Sequence, residues 1–480
     1  MILIRSNVHL CSATLIRNIL LVLAFSLSPL VASAKDEPQM TRELAHFIVT
    51  FDESGIPDDI YDHAILALLD WMAVTVAGSN EPLTQKLIKH SMFLGGNEQS
   101  SVLGHRMKMS VTQAALINGS SSHAHDFDDS HSVFRGHPSA SIFASLFALA
   151  ELENTNGKDF LTAYIIGLHT ALAIADSNAK EIYMKGLHNT SVLGIIASAA
   201  ASARLLDLNE EQTLNALGIA TTQAFGLKAS FGTMSKPFHA GHAAEGAVVA
   251  VLLARDGFTG AHDILEGLNG LFEAMGGAVN DQGLENLGKV WGIEQMAVKY
   301  HASCHWTHSP IDAVLELQKE NSLKYQDIEA IRILVSEIAL KTANIQQPET
   351  GLQGKFSIPY TAANALVTGE TGIQAFTDDA VVNADISDLI SNTRVRAIKD
   401  NIDFAADVTI KTKDGQIYMT EVDVMAEFPE LSEKTLKVKN KFDDIVIPIL
   451  GEEKAVEFAN AILSIEEMDN INELLQIARK

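Results

Sequence analysis

The chain has 480 residues, with 35 Lys and Arg against 60 Asp and Glu and a formal charge of −25. That balance leaves no basic face for broad nucleic-acid binding, because phosphate contacts need clustered cations. At 47% hydrophobic and 20% charged, the chain has globular composition and length for two or three cored domains. Aromatics are sparse at 6%, and runs of Ala, Ile and Leu favour packed helices over an all-β fold.

The first 34 residues read as a leader. Arg5 and Arg17 are the only charges before Lys35, Ile19 to Leu30 is almost wholly apolar, and Ala32-Ser33-Ala34 has the small-x-small form of a signal peptidase site. Cleavage there predicts an exported protein, periplasmic or secreted, with no stable membrane association once the leader is gone. The same acid-poor stretch with Arg and Ser suits a mitochondrial presequence. An uncleaved membrane anchor is a third reading, although the apolar run is short for a span. Cys11 falls in the leader, so Cys304 is the one cysteine left and no intrachain disulfide forms, which suits either redox compartment.

Residues 40–285 read as a helical domain. Tyr61 to Ala77 carries Ala64, Ile65, Leu68, Leu69 and Met72 at helical spacing. Pro138 to Leu152 predicts a buried helix with proline at its first position. Asn189 to Ala203 is uncharged and rich in Ala, Ser and Gly; at about 22 Å of helix it is too short to span a membrane, and its small residues imply close helix packing. Ala243 to Ala254 predicts another helix, ending near Gly257. No fixed-period repeat is present.

The pattern changes after about Gly288. Residues 286–430 read as an α+β lid domain. Ser309 is placed to cap a helix opened by Pro310. Ile331, Ile333 and Val335 alternate as a strand, and Val408 and Ile410, Asp414-Gly415, then Ile417 and Met419 read as a β-hairpin. From 431 to 480 helical spacing returns (Phe458, Ala459, Ile462, Leu463, then Leu474, Leu475), and these helices are expected to pack back on the first domain. The fold class is thus a large all-helical domain plus a smaller α+β lid domain.

Histidine is the informative residue. Ten of the 17 lie in four short segments: His123 to His137, Gly186 to Thr190, Lys236 to His242 and Lys299 to His308. Histidines grouped with carboxylates and lysines suit proton transfer, because their pKa values are tunable to neutrality. His123-x-His125 with nearby aspartates could instead bind a metal, but no further ligand set is evident. His123, His131 and His242 read as surface or satisfied core histidines, and Asp128 and Asp129 as charges at a helix start. His137 is better placed. Just before Pro138 it would sit at the N-terminus of a buried helix, where free N–H groups attract anions and the dipole favours a neutral imidazole; a plain N-cap is the alternative. Lys236, held in extended or turn geometry before Pro237, and Lys299 are the economical cations for a polycarboxylate on so acidic a chain, against a reading as solvated lysines. Cys304 reads as a small core residue rather than a nucleophile.

Together these segments resemble the MmgE/PrpD family, which includes 2-methylcitrate dehydratase, cis-aconitate decarboxylase and iminodisuccinate epimerase. The resemblance is carried by Asp126-Phe127-Asp128-Asp129-Ser130 with His137-Pro138-Ser139-Ala140, and by Gly186-Leu187-His188-Asn189-Thr190. Gly232 to Gly241, Asp256 to Gly260, Val298-Lys299-Tyr300 with Thr307-His308, and Phe356-Ser357-Ile358-Pro359-Tyr360 complete it. The order and spacing run through nearly the whole chain after residue 34.

The resemblance implies a helical domain and a lid enclosing a pocket, usually in a homodimer, with no metal and no organic cofactor. It places His137, His188, Lys236, Lys299 and Asp126 as catalytic residues and Ser130 and Tyr360 as substrate-binding residues; Arg135, in the variable stretch before His137, and His239, in the third histidine segment, are read here as further substrate contacts. The chain departs from the family at Ser130, where Thr is usual, at His125 and at His301. The implied activity is a cofactor-independent lyase on a small di- or tricarboxylate, with proton abstraction next to a carboxylate and loss of water, as in 2-methylcitrate dehydratase. A cis-aconitate-type decarboxylase and an epimerase of an amino- or imino-dicarboxylate use the same parts. A non-catalytic carboxylate-binding protein is the alternative of a different class.

Overall fold

A computed structural model describes residues 39–398, 403–426 and 428–478. The leader expected at 1–34 lies outside them. The helical part is built from α1 (Met40–Thr50), α2 (Asp58–Gly78), α3 (Pro82–Leu94), α4 (Val111–Ser122), α5 (Pro138–Glu153), α6 (Gly157–Met184), α7 (Asn189–Leu205), α8 (Glu210–Thr221) and α9 (Ser235–Arg255). Helices α5 and α7 are buried nearly all round, as a helix without a polar face must be, whereas α9 keeps a solvent-facing stripe at Ser235, Phe238 and His242. Among the described residues, two stretches, Asp58–Gly78 and Gly157–Asp176, are long and apolar enough to cross a membrane, and both are mostly buried among their neighbours.

Small residues decide how close these helices come. A Cβ on Gly241 of α9 would lie 2.1 Å from the Leu116 carbonyl oxygen of α4, so only glycine lets the two backbones touch there. That contact brings the first turn of α9 beside the end of α4.

A two-stranded ribbon follows, in which β1 (Ser130–His131) pairs antiparallel with β2 (Met296–Ala297). It ties the 296–299 segment to the helical part. The α+β part comprises α10 (His308–Asn321), β3 (Ile328–Val335), α11 (Ile358–Thr368), α12 (Ala384–Ser391), β4 (Thr393–Ala397), β5 (Ala406–Thr412) and β6 (Ile417–Val422). The sheet order is β4-β3-β5-β6, with β3 and β4 parallel and the other pairs antiparallel. The parallel pair needs a crossover, and α11 and α12 supply it. In β5 every second residue is buried and faces a layer that includes α10, the period-2 pattern of a half-covered strand. Finally α13 (Leu431–Leu450) and α14 (Glu452–Leu463) pack on α2.

Three local readings are corrected. Helix α9 begins at Ser235, so Lys236 sits in its first turn rather than in extended backbone; proline is tolerated in a first turn, where its missing N–H has no partner to lose. Helix α10 begins at His308 behind Thr307, and Ser309 instead accepts the Val424 N–H. Asp128 and Asp129 do not cap α5, whose N-cap is His137.

Candidate active site

The site is organised by the turn after α4. Asp126 has φ 50°, a left-handed conformation that costs a non-glycine residue free energy and needs outside support. Lys299, two residues past β2, supplies some of it: its Nζ donates to the Asp126 carbonyl at 2.7 Å and to Oδ1 at 2.5 Å. Asp126 Oδ1 also lies 3.3 Å from Lys236 Nζ. The same Lys236 ammonium donates to His123 Nε2 at 2.7 Å. An ammonium has no lone pair, so His123 must carry its proton on Nδ1, which donates to the Asp128 carboxylate at 2.9 Å.

His137 and His188 are the N-caps of α5 and α7, and neither side chain caps its own helix. The two helix starts meet closely: a Cβ on Gly136 would be 2.9 Å from Thr190 N, and the His137 N–H donates to Thr190 Oγ1. His137 Nδ1 lies 2.8 Å from the Asp129 carbonyl oxygen. A carbonyl only accepts, so Nδ1 carries the proton and Nε2 keeps the lone pair. That Nε2 stands 3.5 Å from Asp126 Oδ1, where a proton gained would meet a carboxylate. His188 Nδ1 contacts His239 Nδ1 at 3.2 Å, and Ser130 Oγ contacts His305 Nδ1 at 2.5 Å.

Part of this group lines a narrow cleft between the helical and α+β parts. Asp126, Ser130, Arg135, His137, His188 and Lys236 come from one side, and Cys304, His305, Trp306, Phe356 and Phe404 from the other. Among the described residues, polar atoms in its lining lack partners: Asp126 Oδ2 and Arg135 Nη1 make no hydrogen bond, while the other arm of Arg135 holds Asp403. Buried groups are normally satisfied, so a bare guanidinium nitrogen and a bare carboxylate oxygen beside one cleft mark where a polar ligand fits. Phe231 and Phe356 flank Lys236 with ring centres 5.4 and 5.3 Å from its ammonium.

Electrostatics sharpen the roles. Burial would raise the Asp126 pKa, but the Lys236 and Lys299 ammoniums, with His137 and His123, outweigh it and hold the carboxyl well below its usual range. It is an anion that keeps two cations in place. Burial first, then Lys299, pushes His137 well below 6.5; burial and Lys236 do the same to His188. Both are neutral imidazoles at neutral pH, and a bound polycarboxylate, by offsetting the lysines, would raise their basicity. Burial also lowers Lys236, moving it toward a proton donor's range. Burial lifts Cys304 to about 11, so it remains a thiol.

Of the residues selected from sequence, Asp126, Ser130, Arg135, His137, His188 and Lys236 line the cleft, and His239 stands behind His188. Besides His239, two more do not line it. Tyr360 lies in α11 with its hydroxyl on the Ala375 carbonyl and no exposed surface; the Phe356-Ser357-Ile358-Pro359-Tyr360 motif presents Phe356 to the cleft instead. Lys299 is fully buried beneath Asp126, on the ribbon-tied segment, so it holds the aspartate and not a ligand. Conversely His123, read as a bystander, bridges Lys236 and Asp128. His305 was within the fourth histidine segment but had no motif to single it out from His301 and His308.

His123, Asp126, Asp128 and His137 bring one donor atom each within 4.8 Å of one another, close enough to hold a metal ion. The charge balance does not favour one there. Asp126 Oδ1 already faces two ammoniums, His123 Nε2 accepts from one of them, and a divalent cation would meet like charge at bonding distance.

Comparison with known proteins gives the family of the chain. The MmgE/PrpD N-terminal domain matches residues 42–282 and the MmgE/PrpD C-terminal domain matches residues 301–467. A cis-aconitate decarboxylase-like protein of Aspergillus oryzae is 27% identical over 477 residues, 93% of this chain and 98% of its own length. A cis-aconitate decarboxylase of Aspergillus terreus is 25% identical over 478 residues, 93% of this chain and 97% of its own. The cis-aconitate decarboxylase of Mus musculus is 25% identical over 462 residues, 92% and 93% of the two chains. The chain belongs to the MmgE/PrpD family and is a lyase of that type.

Proposed function

We propose that this MmgE/PrpD lyase acts without a cofactor on a small tricarboxylate, and that its reaction is decarboxylation of a cis-aconitate-type substrate. The observation that carries the reading is the cation-lined cleft of an otherwise acidic protein: Lys236 and the free Arg135 Nη1 offer two positive anchors beside the neutral imidazoles of His137 and His188. Whole-length similarity to cis-aconitate decarboxylases supports the choice of bond.

In such a substrate one carboxylate hangs on a CH₂ next to a carbon–carbon double bond. When its C–C bond breaks and CO₂ leaves, the electron pair spreads over an allylic carbanion, and the far carbon takes a proton. Arg135 and Lys236 would hold the carboxylates and offset the developing charge. Lys236, with its lowered pKa, would deliver the proton, and His137 Nε2 and Asp126 would govern proton traffic around it.

Dehydration of a 2-methylcitrate-type substrate is the second reading. One observation favours it: His137 Nε2 keeps its lone pair with Asp126 3.5 Å behind it, the layout of a base that takes a proton next to a carboxylate. Incubation with cis-aconitate and with 2-methylcitrate, followed by proton NMR, separates the two. Turnover of neither, with binding of both, would overturn the enzyme reading.

Export and homodimerisation are proposed on the same footing. The leader pattern at residues 1–34 supports the first, and N-terminal sequencing of protein from its native host tests it; an intact Met1 on soluble protein would contradict it. Exposed Phe225, Leu227 and Phe238 around the start of α9 support the second, tested by sedimentation.

A further inference from the structure

The Asp126 turn has a feature that the reaction chemistry does not use. Three successive carbonyls, those of His125, Asp126 and Phe127, each accept a hydrogen bond from a buried lysine: Lys355 at 2.8 Å, Lys299 at 2.7 Å and Lys441 at 2.6 Å. The three lysines come from distant parts of the chain. Lys355 follows the short helix Gly351–Gly354 of the α+β part, Lys299 follows β2, and Lys441 is in the middle of α13. Neither Lys355 nor Lys441 lines the cleft.

Burying an ammonium is costly unless its donors are used, and each of these uses them to tie segments together. Lys355 Nζ also donates to the Ala302 carbonyl at 2.8 Å, and its own carbonyl accepts the Cys304 N–H, so it joins the Asp126 turn to the wall that carries Cys304 and His305. Lys441 is ion-paired with Asp70 of α2 at 2.6 Å and lies 4.1 Å from the Phe127 ring centre. The residue in the centre of this arrangement is the one with φ 50°. Its carboxylate can meet Lys236 and Lys299 together only while that conformation holds.

We propose that Lys355 and Lys441 are positioning residues for the reaction: with Lys299 they grip three consecutive carbonyls and so hold the Asp126 carboxylate on Lys236 from behind the cleft. Each end of the subunit outside the helical core thereby contributes one grip on the same turn. The proposal rests on the reading of Asp126 and Lys236 as parts of the lyase site.

Lys355→Met is the primary test, because among the described residues Lys355 has no carboxylate within salt-bridge distance to be left unpaired. A crystal structure of the variant should show Asp126 leaving the left-handed region and its carboxylate moving off Lys236. With cis-aconitate as probe, kcat should fall by about 10- to 100-fold, the loss that a misplacement of about 1 Å brings, while KM changes less than about twofold and the folded fraction is unchanged. Lys441→Met combined with Asp70→Asn, which leaves no buried carboxylate without its cation, should do the same. Lys434→Met removes another buried lysine of α13, one that contacts His63 and the Glu294 carbonyl, and should alter neither the turn nor kcat. If Asp126 keeps its positive φ in Lys355→Met, or moves without any loss of kcat, the proposal is wrong. Should the wild-type protein not turn over cis-aconitate, the crystallographic comparison still decides whether these lysines hold the turn, and the substrate reading fails separately.

Discussion

The two sides of the Asp126 turn are both buried and both charged, yet they are finished differently. Behind the turn, Lys299, Lys355 and Lys441 donate to consecutive carbonyls. In front of it, among the described residues, Asp126 Oδ2 and Arg135 Nη1 have no partner, and His137 Nε2 has a lone pair and no donor. Buried polar groups left open lose free energy on folding. The three carbonyls behind the turn are thus all satisfied, although Asp129 Oδ1 there has no hydrogen-bond partner among the described residues either; the open atoms in front differ in lying beside the cleft, where a ligand can reach them. The contrast also separates two kinds of lysine. Lys236 lies on the cleft and is available to a ligand, whereas Lys299, equally conspicuous in the sequence, is spent on the aspartate.

Substitutions on the open side should produce the largest losses of activity. His137→Ala should lower kcat by about 10²–10⁴ while leaving substrate affinity largely intact, the range for a lost proton-transfer group. Steady-state kinetics with a binding measurement would check this, and near-normal kcat would shift the role to His188. Lys236→Ala should lower kcat/KM by about 2–4 kcal/mol, with KM raised and kcat reduced, because both a carboxylate anchor and transition-state charge stabilisation go. Lys236→Ala should also lower the midpoint of thermal unfolding, because it takes a donor from His123 Nε2 and a cation from buried Asp126.

The closed side should answer in stability instead. Asp129 is buried with its carboxyl pushed up from 3.8 to about 8, by burial first and then by Asp70. Between about pH 4 and pH 8 the unfolded chain has released this proton and the folded protein still holds it. The unfolded state therefore binds fewer protons, and the contribution of Asp129 to stability falls as pH rises through that window. Asp129→Asn should remove the dependence. Measured against wild type in urea, the variant should gain by up to about 1 kcal/mol per pH unit across the window, and a flat difference would contradict the buried neutral acid. The smallest effect belongs to Tyr360→Phe. Its hydroxyl meets only the Ala375 carbonyl, so the change should cost about 1 kcal/mol of stability and leave kcat/KM unchanged. A large rise in KM would return Tyr360 to the cleft.

The same contrast explains what the sequence made legible. Helices α5 and α7 follow from apolar or small-residue runs with clear starts, and the hairpin of β5 and β6 from alternation around Asp414-Gly415. His137 was placed because proline fixes the helix start after it. Lys236 stands out by its charge, by its place before Pro237 and by the family motif, but its conformation is not legible, because a proline in a first turn looks, in sequence, like a proline before a helix. The back of the site was not legible. Nothing local to Lys355 or Lys441 says that each meets a carbonyl more than 200 residues away, and the His123 tautomer follows only from the approach of α9 to α4 through Gly241. Tyr360 was drawn in by its motif, whereas the fold turns that position inward and offers Phe356.

The central claim is that the open side is a catalytic tricarboxylate site and not a binding pocket alone. Incubation of the protein with cis-aconitate in D₂O, followed by proton NMR, tests it most directly. The expected result is release of CO₂ and a decarboxylated product carrying one solvent-derived deuterium at the carbon that quenches the carbanion, with the rate lost in His137→Ala and Lys236→Ala. Stabilisation of the protein by cis-aconitate, by citrate and by 2-methylcitrate with no turnover and no proton exchange in any of them would contradict it, and would leave the cleft as a carboxylate-binding site on a lyase fold.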